Sequence, residues 1–210
     1  MSSIISHVYI SNILKEKYNL GDEFLYGAIL PDILHKAIKA QTREMTHYLR
    51  HGILYDSEGD YPDIERFIIE NTEILPKSQM MQGYLAHLIE DMLWFSIYIP
   101  KMTIEKDKKT IIYKKDNSVH TDDEFRNDIY SDYTIIDRYL LKKTNLNLDE
   151  LQREFLAISD DIDLKNTIKD NFKLFDLRND SLILISFDML EEYIKASLEK
   201  VSIVLDKLYR

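Results

Sequence analysis

The stretch GYLAHLIEDMLWF, residues 83–95, is apolar at most positions yet places His87, Glu90 and Asp91 near its middle. On a helix, the four-residue spacing of His87 and Asp91 stacks the two side chains on one face, one turn apart. That face has two readings. It is the wet side of an amphipathic helix, or it is half of a metal site. Gly83 lies one turn before His87 on the same face and weighs against the first reading. A position without a side chain opens room for a close neighbour, although Gly costs a helix about 1 kcal/mol relative to Ala.

Working outward, long stretches repeat the helical spacing of apolar residues, with few glycines and prolines to interrupt them. Helices are expected over residues 3–18, closed near Gly21, and from Asp22 onward with a break at Pro31. Further helices are expected over 43–56, 61–72, 77–99, 121–143, 148–158 and 161–176. The clearest covers about 186–209, where Phe187, Leu190, Ile194, Ser197, Val201, Leu205 and Leu208 form one apolar stripe. Strand signals are confined to TIIYKK (110–115) and SLILIS (181–186). The expected fold is a single all-α domain, a multi-helix bundle with at most one small β-hairpin.

Bulk properties narrow the function. A chain of 210 residues, 45% hydrophobic and 30% charged, is long enough for one domain with a substantial core. No apolar run reaches the length of a bilayer span, and MSSIISHVYIS lacks the basic start of a signal peptide, so a cytoplasmic protein without a stable membrane anchor is expected. A net charge of −10 argues against duplex nucleic acid as a partner. The locally basic stretch KMTIEKDKKTIIYKKDN (101–117) reads as a solvated loop or hairpin, with a substrate-facing patch as the alternative. With no cysteine in the chain, any metal must sit on His, Asp and Glu.

Candidate ligands are found by asking which polar groups stand in apolar surroundings. His7 stands in SIISHVYISNIL, where nearly every neighbour is aliphatic or aromatic, so it needs a buried partner or a thin polar face. Asp32 follows Pro31 in FLYGAILPDIL; there it is either the N-cap of a new helix or a buried carboxylate awaiting a cation. His47 and His51 share TREMTHYLRHG, where the plain reading is a polar helix face. Taken one at a time these are weak signals. Together, three His and two Asp (His7, Asp32, His47, His87 and Asp91) make the donor set of a zinc site without cysteine.

The series SHVYISNIL, FLYGAILPDI, THYLRH and GYLAHLIEDMLW resembles the zinc-dependent phospholipase C family. Bacterial members show an early His, a GxxxPD turn, a Thr- or Ser-His-aromatic element and a GYxxHxxxD helix in that order. The elements span roughly residues 6–95, with Gly27 and Gly83 in place. The resemblance implies a phospholipase C and single-strand nuclease type of helical fold carrying one to three zinc ions. It implies that Asp32, His47, His87 and Asp91 enclose one zinc, and that Asp91 bridges toward a second ion bound by His7. It further implies that a metal-activated water attacks a phosphodiester, with Asp32 as the catalytic base, on a small phosphoester or a phospholipid head group. Two further elements are candidates by the same resemblance. HTDDE (120–124) gives His120 and Glu124 the spacing of the family's HxxxE helix, and RNDIYSDYTIID (126–137) offers Asp128, Asp132 and Asp137, with Asp132 before Tyr133 the preferred ligand. Their plain reading is a solvated acidic face. MLWFSIYIP (92–100) holds no His where the family carries one. That departure keeps open a scaffold that retains one metal with a structural or binding role, and a protein with no metal at all. Trp94 is read as packing, or as a wall of the site.

Overall fold

The computed structural model describes residues 3–49, 61–107, 110–144, 147–157, 160–172 and 181–209. The chain starts with α1 (Ile4–Tyr18), whose N-terminus is capped by Ser3, its hydroxyl accepting the Ser6 N–H at 3.1 Å. The helix closes on Asn19 in the left-handed region (φ 52°), not on Gly21, and the Leu20 N–H returns to the Lys15 carbonyl. Gly21 instead precedes α2 (Asp22–Ala37) as its N-cap.

Pro31 does not break α2, contrary to expectation. A proline inside a helix forfeits one hydrogen bond and crowds the carbonyl four residues earlier, here that of Gly27. Burial outweighs that cost: Phe24, Leu25, Ala28, Ile29 and Ile33 are all within 2% of full burial. Asp32 therefore lies inside a helix and is not a cap.

After α3 (Arg43–Thr46), Tyr48 turns the chain with φ 51°, and Leu49 bridges to Pro62. The helix expected over 43–56 thus ends at Thr46 within the described residues; its remainder from 50 onward, His51 included, lies outside them. Then come α4 (Ile64–Glu70), a 3-10 turn (Leu75–Lys77) and α5 (Gln79–Leu93). A π-helical turn (Trp94–Tyr98) and α6 (Ile99–Met102) continue α5. The basic stretch forms antiparallel strands β1 (Thr103–Asp107) and β2 (Thr110–Tyr113), and β3 (Val119–Thr121) adds to β2, one strand more than a hairpin. The chain finishes with α7 (Asp122–Lys143), α8 (Leu148–Ala157), α9 (Ile162–Asn171) and α10 (Phe187–Leu208). The fold is predominantly all-α with one small sheet. Among the described residues no helix is long and apolar enough to cross a membrane.

Two layers of core hold the candidate site. On one side of α2 the main core gathers α1, α5, α7 and α10 through Phe24, Leu85, Ile89, Ile136 and Leu205, with Trp94, Tyr98 and Tyr193 packed ring against ring. Trp94 is packing. On the other side Leu25, Ile29 and Ile33 meet Phe155, Ile168 and Phe172. The crossing of α2 and α5 is set by two glycines. A Cβ on Gly27 would stand 1.9 Å from the Met80 carbonyl oxygen, and one on Gly83 1.9 Å from that of Phe24. The helices touch backbone to backbone, which is the close neighbour that Gly83 makes room for.

Candidate metal centre

The crossing brings α5's polar face against α2, so that face is not wet. His87, Glu90 and Asp91 are completely buried. His7 reaches the same point from α1, Asp32 from α2, and His47 from the end of α3. None of His7, Asp32, His47, His87 and Asp91 is more than 1% exposed. Two groups, His7 with His87 and Asp91, and Asp32 with His47 and His87, each place their donor atoms within 4.8 Å of one another.

The contacts run through Asp91. Its Oδ1 lies 3.5 Å from His7 Nε2, and its Oδ2 lies 3.8 Å from both His47 Nε2 and His87 Nε2. His47 Nε2 lies 3.2 Å from Asp32 Oδ1. Donors around one tetrahedral ion with bonds of about 2.0–2.1 Å are about 3.4 Å apart, so these spacings suit coordination with little movement. The rings are stacked tightly, His7 on His87 at 3.9 Å between centroids.

Each imidazole is also held from behind. His87 Nδ1–H donates to the Ala28 carbonyl at 2.7 Å, which fixes the tautomer and leaves Nε2 as a lone pair. His7 Nδ1–H donates to Glu90 Oε2 at 2.7 Å, and His47 Nδ1 pairs with the Thr46 hydroxyl at 3.0 Å. All three rings thereby present Nε2 to the Asp91 and Asp32 carboxylates, the arrangement in which outer partners orient metal-binding histidines. Among the described residues, His87 Nε2 has no hydrogen-bond partner although it is buried.

Electrostatics agree with the geometry. Burial, with the neighbouring charge of His7, pushes the His87 pKa down to about 3, so this ring is neutral at physiological pH. Burial alone would raise Asp32 and Asp91; the His47 hydrogen bond to Asp32, and the positive charges around Asp91, with His7 and His87 contributing, override it and keep both below the usual carboxylate range. For His7 burial works downward, but the Glu90 and Asp91 carboxylates hold its pKa well above the ordinary value. The centre as built is rich in lone pairs and negative charge. These buried His and Asp groups could bind a metal ion.

The remaining candidates have other occupations. Asp132 belongs to neither group: its oxygens accept the backbone N–H groups of Ile183, Leu184 and Ile185 at 2.6, 2.7 and 2.8 Å. This also explains why SLILIS is not a strand, since the N–H groups a ladder would use are turned onto a carboxylate. Glu124 completes a capping box with Thr121 at the start of α7. His120 stacks on Tyr113 at 3.8 Å and meets the Ser118 hydroxyl at 2.7 Å. Asp128 accepts from the Tyr113 hydroxyl, and Asp137 is a carboxyl whose pKa burial lifts to about 7. We expect Asp132→Ala to lower unfolding free energy by about 3 kcal/mol, since several amides lose their acceptor. Urea titration measures this, and metal content should stay at the wild-type value.

Spacing along the chain does not single out Glu90 as a residue of the centre. The one signal for it was its place beside Asp91 on the His87 face, which fits a wet helix equally well. His35, a turn after Asp32, donates its Nδ1–H to the Pro31 carbonyl and sets its ring edge-on to His47 at 5.4 Å; it belongs to neither group.

A scan against protein-family models and searches of the curated proteins and of the solved structures find no match to this chain.

Proposed function

We propose that this protein is a zinc-dependent phosphoester hydrolase of the phospholipase C type, acting on a small phosphodiester or a phospholipid head group. The observation that carries the reading is His87 Nε2, a neutral, buried lone pair with no donor among the described residues, 3.8 Å from a carboxylate oxygen. Two acceptors facing each other in an apolar interior call for a cation. Imidazole nitrogens mixed with carboxylates are the donor set zinc takes when no thiolate is available.

Asp32, His47, His87 and Asp91 Oδ2 would hold one ion; Asp91 Oδ1 and His7 face a second position. Bound zinc supplies Lewis acidity toward a phosphoryl oxygen and acidifies water to a pKa of about 7. The chain's own contribution is orientation and proton handling. Asp32, ionised and hydrogen-bonded to His47, is the base that takes a proton at its carboxylate. The charge of Asp32 and Asp91 partly offsets that of the metal.

A second reading is a non-catalytic member of that family, in which a metal braces the scaffold. It is favoured by the burial of all five donors, because structural sites are closed whereas catalytic sites keep an open position. Metal analysis of protein purified without chelator, followed by assay on a chromogenic phosphodiester, separates the two. The expected result is one to two zinc per chain, and hydrolysis that a chelator abolishes and zinc restores. Zinc retention without hydrolysis leaves the bracing role. Protein that neither carries nor takes up zinc overturns both.

A further inference from the structure

Among the buried ionisable groups described, Glu90 stands beside the candidate ligands yet is not used by the proposed zinc ligation. It is completely buried, and one oxygen, Oε2, receives the His7 Nδ1–H at 2.7 Å. The other oxygen, Oε1, has no hydrogen-bond partner among the described residues. A buried carboxylate half-used in this way is expensive, and Gln or Leu would fit the position for packing alone.

The geometry around His7 shows what it does. His87 has only Nε2 to offer, because Nδ1 is committed to the Ala28 carbonyl. If Nε2 of His87 serves the ion held with Asp32 and His47, the second position keeps, among the described residues, His7 Nε2 and Asp91 Oδ1, 3.5 Å apart. A position with two protein donors depends strongly on the quality of each. A carboxylate behind an imidazole fixes which nitrogen faces the metal and makes that nitrogen more basic.

We propose that Glu90 is a positioning residue that builds the His7 half of the centre: it holds the His7 Nδ1–H so that Nε2 stands ready beside Asp91 Oδ1 for a second divalent ion. This rests on the metal reading given above. The residue touches neither ion nor substrate and acts through His7. It also divides the centre into two unequal halves, a first position made by four side chains and a second whose occupancy is set by the Glu90–His7 pair.

The test is zinc titration of Glu90→Gln against wild type in a competing chelator, with metal analysis of the dialysed proteins. Glu90→Gln keeps the shape and removes the charge. Wild type should take two ions, the second more weakly. The variant should hold the first with an affinity within about threefold of wild type and bind the second about 10–100-fold more weakly, the usual cost of losing an outer partner of a ligand. Glu90→Asp, with the charge but a shorter reach, should fall between them. Two ions bound normally by Glu90→Gln overturns the proposal, as does equal loss of both ions from a folded variant. Wild type that binds no zinc overturns the metal reading itself, and this proposal with it. Should Glu90→Gln not fold, nitrogen NMR of the His7 ring in zinc-loaded wild type decides. A protonated Nδ1 with Nε2 on the metal supports the role, and the reverse tautomer overturns it.

Discussion

Gly83→Ala is expected to unfold the protein or to destabilise it by more than about 3 kcal/mol, and to take metal binding with it. In an exposed helix the same change stabilises by about 1 kcal/mol, so even the sign is diagnostic. The reason is the crossing of α2 and α5. An added methyl at residue 83 meets the Phe24 carbonyl oxygen at 1.9 Å, with the Ala28 nitrogen at 3.0 Å. These are backbone atoms of fully buried helical residues, with no rotamer to change, so the helices must move apart. Over-packing usually costs about 1–3 kcal/mol where side chains can adjust; here they cannot. Gly27→Ala should do the same, since its methyl meets Met80 O at the same 1.9 Å. Separation would also break the bond from His87 Nδ1 to Ala28 O, now 2.7 Å, and so release the tautomer that readies Nε2. Gly21→Ala is the control, because its methyl would meet only the tip of the Gln79 side chain, at 3.1 Å. Urea denaturation of the three variants is the measurement. A Gly83→Ala protein whose midpoint matches wild type would show that the crossing is looser than described.

Asp91→Ala is expected to lose metal binding altogether, a fall of more than about 100-fold in affinity. Among the described residues Asp91 turns one carboxylate oxygen to each half: Oδ1 faces His7 and Oδ2 faces His47 and His87. Thermal unfolding gives the clean readout. A ligand that binds only the native state adds about 4 kcal/mol at a thousand times its dissociation constant, so zinc should raise the wild-type melting temperature by several degrees. It should leave that of Asp91→Ala where it was. Asp132→Ala, a buried carboxylate replaced outside the centre, should keep the full zinc response while melting earlier in its absence. A zinc response in Asp91→Ala equal to wild type removes this residue from the centre.

Several of these features are legible in the amino-acid sequence alone. Of the stripe from Phe187 to Leu208, Leu190, Ile194, Ser197, Val201 and Leu205 point inward on α10, whereas Phe187 at its start is exposed and Leu208 at its end is half-buried. The four-residue step from His87 to Asp91 does put both on one face of α5. Where reading failed, a distant partner had intervened. Pro31 is carried through α2 because the helix is packed on two sides. SLILIS has strand composition, but Asp132, some fifty positions earlier, captures its amides. HTDDE has ligand spacing, but its glutamate turns back to cap its own helix. In each case a local pattern fitted two structures, and a contact remote in sequence selected one.

The sequence by itself determined the helical class, the candidate donors and the two glycines, because periodicity and spacing fix how side chains are arranged within one helix. Only the tertiary structure decided that residues 7, 32, 47, 87 and 91 meet, that Glu90 stands behind His7, and that Asp132 does not join them. Those outcomes depend on how closely α2 and α5 approach and on which buried charge finds which partner. Both are set by packing between segments far apart in the chain, and spacing along one helix carries no information about either.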